Sequence, residues 1–246
     1  MTTHDAPFPT GVTEPEYELY GRGEHAVDVD PAGVFSQIND EDAEYRARAR
    51  TFALDEVAPI IDGYWDRADY PLHLVKRLGD LDLLRDGVDV AGRPHQSRLA
   101  AGLVNAELSR VDGSVGTILG VQGGLALRSI VDCGSPEQIE RWAGRMADGT
   151  LPGAFALTEP THGSDSVGLE TSAVKVDGGW VLNGEKKWIG NGSLGPVKGL
   201  EAISVVWARD EAGKVRGFAV PQDSEGYSAE TIEGKLALRA IWQAHI

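Results

Sequence analysis

Cysteine is almost absent from this chain. Cys133 is alone among 246 residues, so no disulfide can close within the chain and no multi-cysteine metal site can be assembled. With no basic or thiol neighbour to activate it, Cys133 reads as a small, semi-buried core residue. Positive charge is also scarce. Lys and Arg number 23 against 38 Asp and Glu, for a formal charge of −15, and such a surface repels phosphate backbones and anionic lipid. No uninterrupted apolar run has the length of a bilayer span, and the opening MTTHDAPFPTGVTEPEYELYGRGEH lacks the basic and apolar regions of a signal peptide. Walker A, CxxC and HExxH motifs are missing, and the six histidines are scattered, which argues against a protein-built metal site. Together these absences suit a cytoplasmic protein with neither nucleic-acid nor membrane partner.

What is present divides into three parts. Residues 1–34 are rich in Pro, Gly and acidic groups without periodicity and read as an extended arm. Residues 35–150 carry helical signals. Asn39 or Asp40 caps a helix with Ala49, Phe52, Ala53 and Val57 at helical spacing until Pro59 interrupts it. A second helix opens at Pro71 around Leu74, Val75 and Leu78 and stops near Gly79. A third follows Ser97, with Leu99, Leu103 and Ala106 on one face. The small residues of GSVGTILGVQGGLALRSIVDCG invite close approach of another segment or a ligand, and SPEQ at 135–138 is a capping box opening a helix with Ile139, Trp142 and Met146 as its apolar face. From 151 to 246 the period becomes that of strands, with turn signals at Asp177-Gly178-Gly179 and Asn183-Gly184. The fold class is therefore α+β: an all-helical domain, then an antiparallel β-barrel or sandwich domain.

Two short segments concentrate the chemistry. In FALTEPTHGSD, 155–165, an apolar strand breaks into hydroxyls, a proline and a glycine. Thr158 and Ser164 flank Pro160 and Gly163, which can turn the chain so that amides and hydroxyls converge on a polar ligand. Glu159 and His162 read as polar groups of a surface loop rather than as an acid/base pair. In KKWIGN, 186–191, Trp188 is either core or a platform for a flat heteroaromatic ring, with Gly190 permitting close approach. Gly190 to Gly195 also fits G-x-G-x-x-G, but that fingerprint needs a helix immediately after the glycines and Pro196 and Gly199 are expected to deny it one, so it reads as a β-domain loop.

LTEPTHGSD, a Gly-Trp and Asn-Gly hairpin and KKWIGNG, in this order, resemble the middle domain of the acyl-CoA dehydrogenase family. ELSRVDGSVGTILGVQGGLALRSIVDCGSPEQIERW is similar to that family's helical N-terminal domain, and RGFAVPQDSEGYSAETIEGKLALRA to the strands after its flavin loops. The resemblance runs from about Phe35 to Ile246 and leans toward glutaryl-CoA dehydrogenases and short-chain acyl-CoA oxidases. It implies an FAD cofactor held by Phe155, Leu157, Thr158, Gly163, Ser164, Trp188 and Gly190, and an acyl-CoA thioester near Ser164, Gly116 and Thr117. It implies α,β-dehydrogenation with hydride passing to the flavin, and partners that include further copies of the chain and an electron-transferring flavoprotein.

Three departures from the family pattern bear on these expectations. Gly190 stands where many relatives have threonine, removing a hydroxyl from beside the flavin. Gly116 stands where glutaryl-CoA enzymes place an arginine, which favours a neutral acyl chain because a buried second carboxylate would lack its cation. LALRAIWQAHI stops as a strand begins, so the C-terminal four-helix bundle is expected to be missing, or separately encoded, and the catalytic glutamate to lie beyond Ile246. On that reading the isolated chain is truncated and inactive. An oxidase that uses oxygen and a non-catalytic flavin or acyl-CoA binding module are the alternatives.

Overall fold

A computed structural model describes residues 33–246; all but the end of the expected arm lies outside them. The first helix, α1, is Asp40–Phe52, and the Asn39 side chain caps it by accepting from Asp42 N–H at 2.8 Å. The expected interruption at Pro59 does not occur. A π-helical stretch, Ala53–Val57, widens the turn and α2 follows at Ala58–Arg67, so that Pro59 sits in a first turn where its missing N–H costs little. Helix α3, Leu72–Asp80, buries Leu74, Val75 and Leu78 as its spacing requires.

Helix α4, Arg98–Val111, opens on Ser97 but is rotated from the expected face. Its buried stripe is Ala100, Leu103, Val104, Glu107 and Leu108, whereas Leu99 and Ala106 are exposed. An apolar count skips Glu107, yet this carboxylate is buried because Arg46, Arg50 and Arg110 all reach it, at 2.9, 3.2 and 3.0 Å. Charge pairing, rather than apolarity, completes that face.

A continuous helical run then crosses the domain. It comprises α5, Gly113–Leu119, a π-helical stretch Gly120–Leu127, and α6, Arg128–Cys133. By length and its mean hydropathy of 1.3 it could span a bilayer, but 56% of the apolar window is buried inside the protein, as in a core helix. The small residues serve close packing. A Cβ on Gly123 would strike the Leu84 carbonyl, and one on Gly116 the Ser109 hydroxyl. Cys133 ends the run exposed, not semi-buried. Helix α7, Pro136–Ala147, carries the expected Ser135–Gln138 capping box.

The buried Gln122 side chain couples the helices to the β domain. Its Nε2 donates to the Met146 and Leu151 carbonyls, both at 2.9 Å, and its Oε1 accepts from Gly153 N–H at 2.7 Å, fixing where the first strand begins. That strand, β1, is Gly153–Ala156, and β2, Ser172–Val176, forms a hairpin with β3, Gly179–Asn183, across Asp177-Gly178. A two-residue strand β4, Ile189–Gly190, precedes a five-residue helix α8, Leu194–Lys198, then β5, Ile203–Asp210, β6, Val215–Pro221, β7, Glu230–Thr231, and β8, Gln243–His245.

The β domain is mixed rather than antiparallel. β6 covers one edge of β5 along most of its length, so β1 and β2, both parallel to β5, share the other edge. β1 returns to β5 only after a long excursion, which permits parallel pairing. Asn183-Gly184 is not a hairpin turn either: β3 belongs to the large sheet and β4 to a second sheet with β8 and β7. The two sheets meet over Ala154, Ala156, Ile189 and Val206, while the opposite face of β1 and β5 packs on α6 and α7.

Close helix packing gives a direct test. Gly123→Ala is expected to lower stability by about 1–3 kcal/mol through overpacking, whereas Gly102→Ala, on open helix surface with nothing within 4 Å, should raise it by up to about 1 kcal/mol. Urea midpoints of the two variants read the opposite signs.

Candidate functional site

On the shared edge of β5, β1 pairs with Ile203–Val206 and β2 with Arg209 and Asp210, leaving a gap between them. The 157–171 segment leaves the sheet at that gap. Its turn is closed by paired backbone bonds between Glu159 and His162. Beyond the turn, Gly163 and Ser164 are exposed, and nothing stands within 4 Å of the place a Cβ on Gly163 would occupy. Among the described residues the hydroxyls of Thr158 and Ser164 have no hydrogen-bond partner. They are therefore available to a ligand.

Beside this turn runs the 186–191 segment, held to it by Lys187 N–H donating to the Thr158 carbonyl at 2.9 Å. Trp188 adopts φ 66° and is half exposed. A bulky residue in the left-handed region is strained by roughly 1–3 kcal/mol, and here the strained residue leaves its indole half exposed, one position after the Lys187–Thr158 backbone bond. Asn191 is left-handed too, with φ 64°, and it is buried. Its side chain accepts from the Tyr70 hydroxyl at 2.7 Å and donates to the Gly153 carbonyl at 2.9 Å, while its carbonyl accepts from Gln222 at 2.9 Å. Burial pushes the Tyr70 hydroxyl pKa far up, so it remains a donor. One residue, through its side-chain amide and its backbone carbonyl, thus ties the helical domain, the start of β1 and the exit of β6 to the turn after Gly190.

Glu159 is not a surface group. It is 5% exposed, and Lys186 beside it is 2% exposed. Lys186 Nζ donates to Glu159 Oε1 at 2.8 Å and to the Leu157 carbonyl at 3.1 Å. Glu159 also accepts from Glu170 N–H at 2.7 Å, Thr171 N–H at 2.9 Å and the Thr171 hydroxyl at 2.5 Å. Burial alone would raise its carboxyl, but the Glu170 amide, the Lys186 ammonium and the Thr171 donors outweigh that and hold it down at about 2. The Lys186 ammonium is pushed down, because burial outweighs the pull of its one carboxylate. The pair is asymmetric: four donors serve the anion, two acceptors the cation. An ionised, fully engaged carboxylate is a poor proton acceptor, so Glu159 is not a general base; His162 Nδ1 lies 3.6 Å from it.

The proposed contact residues therefore separate. Leu157, Thr158, Gly163, Ser164 and Trp188 lie on the two linked segments, all half-buried or exposed. Phe155, on β1, stacks obliquely on Trp207 with ring centroids 5.8 Å apart. Gly190 is buried, and a Cβ there would lie 2.9 Å from Val121 Cγ2, so its bare position faces the π-helical stretch. Thr117, one turn before Val121, donates its hydroxyl to the Gly113 carbonyl, whereas Gly116 faces Ser109 and Asn105 on α4. The G-x-G-x-x-G stretch does run into a helix, but α8 has only five residues, and the Gly195 amide is spent on Gln222 Oε1 at 2.8 Å. Sequence reasoning missed Tyr70, Asn191, Gln222 and the buried roles of Lys186 and Glu159. The one visible signal was polarity inside an otherwise strand-like run.

Comparison with known proteins matches residues 39–150 to the acyl-CoA dehydrogenase N-terminal domain and residues 154–246 to the middle domain. An acyl-CoA dehydrogenase of Bacillus subtilis is 31% identical over 206 residues, which is 82% of this chain and 53% of that protein. The structure of glutaryl-CoA dehydrogenase from Mycobacterium smegmatis superposes with a TM-score of 0.81 at 36% identity, covering 88% of this chain and 55% of that one. A glutaryl-CoA dehydrogenase of the same organism in complex with FADH2 gives a TM-score of 0.81 at 32% identity, over 89% and 55%. The chain thus spans about half the length of the proteins it matches.

The Glu159 environment sets an acid limit. A carboxyl held at about 2 in the fold, against about 4.3 when unfolded, contributes stability that is complete above about pH 4.5 and lost as pH falls toward 2. Glu159→Gln should cost about 3–5 kcal/mol at neutral pH by leaving a buried ammonium unpaired, and should flatten the acid dependence. Urea midpoints of both proteins between neutrality and low pH check the sign.

Proposed function

Because the chain belongs to the acyl-CoA dehydrogenase family, we propose that it is the FAD-bearing part of a soluble, cytoplasmic enzyme that desaturates an acyl-CoA thioester between Cα and Cβ. The carrying observation is the half-exposed, left-handed Trp188 in a segment that Lys187 N–H bonds to the backbone of Thr158, whose hydroxyl is unpartnered among the described residues. A planar indole and a free hydroxyl at the rim of an apolar strand end fit a flat ring with polar edges. When bound, FAD supplies the hydride acceptor. The protein's share would be to place and polarise: Trp188 and Leu157 would hold the ring, Thr158 would offer its hydroxyl to the ring's polar edge, and the exposed Gly163 and Ser164 would take a phosphate-bearing or thioester portion.

For the acyl chain, we favour a neutral group. Gly116 offers no cation, and its neighbours Ser109 and Asn105 are uncharged and bonded to each other at 2.9 Å. With Glu159 locked, the base that takes the α-proton is sought in the part of the family's length that this chain does not span. Further copies of the chain and an electron-transferring flavoprotein are the partners this reading proposes.

FAD titration, followed by quenching of flavin fluorescence, tests the reading. We expect saturable binding, weakened roughly fivefold to a hundredfold by Trp188→Ala, the scale of one stacking contact of about 1–3 kcal/mol, and less by Thr158→Ala. Butyryl-CoA added without oxygen, with a relative's C-terminal domain supplied in trans, should bleach the bound flavin. Absence of any saturable FAD binding would overturn the proposal.

A further inference from the structure

The six residues from Lys186 to Asn191 are pinned at both ends and strained in the middle. At the front, Lys186 Nζ holds Glu159 at 2.8 Å and the Leu157 carbonyl at 3.1 Å. At the back, Asn191 is held by Tyr70 at 2.7 Å and by the Gly153 carbonyl at 2.9 Å. Between them Trp188 stays left-handed with its indole half exposed. Strain persists only where surrounding contacts over-determine it, and buried polar groups supply such contacts because releasing them leaves unsatisfied partners.

We propose that Lys186 is a positioning residue for the flavin ring: tethered to Glu159 and the Leu157 carbonyl, it holds Trp188 and Thr158 in one fixed relation, with Tyr70 and Asn191 securing the far end. This rests on the flavin reading above but concerns residues that touch no flavin. Lys186 acts through its neighbours. Its ammonium adds a side-chain tether to the Lys187–Thr158 backbone bond between the two segments, so their fine relation depends on it, whereas the fold needs only that the buried charges be balanced.

That difference can be measured on the full 246-residue chain. Lys186→Met strands Glu159, so the double variant Glu159→Gln with Lys186→Met is the informative one: removing both charges spares the desolvation of a lone ion. The readouts are thermal midpoint, FAD affinity, and the indole N–H resonance of Trp188 in the flavin-free protein, assigned by its loss in Trp188→Phe. The expected result is that the double variant regains much of the midpoint lost in Lys186→Met, yet binds FAD at least tenfold more weakly than the parent and shows a displaced Trp188 resonance. Tyr70→Phe should move the same resonance from the other end. If FAD affinity returns together with the midpoint, the pair is structural only and the proposal is wrong. An unmoved Trp188 resonance in the double variant overturns it as well. Should the parent chain bind no FAD, the flavin reading fails on its own, and the resonance still decides whether the tether positions Trp188.

Discussion

A carboxylate and an ammonium, Glu159 and Lys186, share a site from which water is nearly excluded, and such a pair is tolerable only when its remaining valences are met. Meeting them dictates the neighbourhood. Glu170 and Thr171 must bring their amides to the carboxylate, which fixes the approach to β2. Leu157 must offer its carbonyl to the ammonium, which fixes the departure from β1. The Lys186 backbone also exchanges both hydrogen bonds with Ile246, so the same residue aligns the end of the second sheet. Four stretches distant in sequence converge because one ion pair leaves them little choice.

Satisfaction of that pair also explains what is left free. Glu159 needs nothing from Thr158 or Ser164, so their hydroxyls remain unpartnered at the rim while the acidic side chain between them is occupied. A glutamate in a loop of TEPTHGSD type would otherwise compete for the hydroxyls. Behind the turn, Asn191 and Gln122 perform the analogous service with neutral amides, joining the helical domain to β1 at Gly153 from two directions. The candidate site is therefore a joint between domains, held by hydrogen-bonded buried polar groups.

Much of this architecture was legible in the sequence where local chemistry decides it. The Asn39 and Ser135 caps, the Asp177-Gly178 turn and the switch from helical to strand period near residue 150 are local signals, and the structure carries each of them. One failure is local: Pro59 does not stop its helix because a π-helical stretch just before it absorbs it. The others are non-local: Glu107 is inside because Arg46 and Arg50 of α1 join its own neighbour Arg110 in meeting it, and Glu159 is inside because Lys186 reaches it from 27 residues on. The parallel pairing of β1 with β5 is invisible for the same reason. Of the site, the two segments could be named from residue types, but not the tether between them.

Exposed aromatic residues here carry two meanings, and backbone strain separates them. Trp180 lies edge-on to Phe218 with centroids 5.3 Å apart, in relaxed strands lining a groove of about 920 Å³. Val174, Val176 and Val181 on the same hairpin are also exposed, and among the described residues β3 and β6 each have one unpaired edge. That combination is an ordinary exposed strand surface. It asks nothing of the backbone, since any extended strand would present such residues. Trp188 differs. Its exposure is bought with an unfavourable φ, in a segment anchored by a buried ion pair at one end and a buried amide at the other. Left-handed backbone alone does not mark a site, since Leu238 and Ala68 share it. What sets Trp188 apart is that strain, exposure and two buried anchors coincide at one residue, and on the flavin reading proposed above that coincidence gives the strained tryptophan a role the relaxed one does not need.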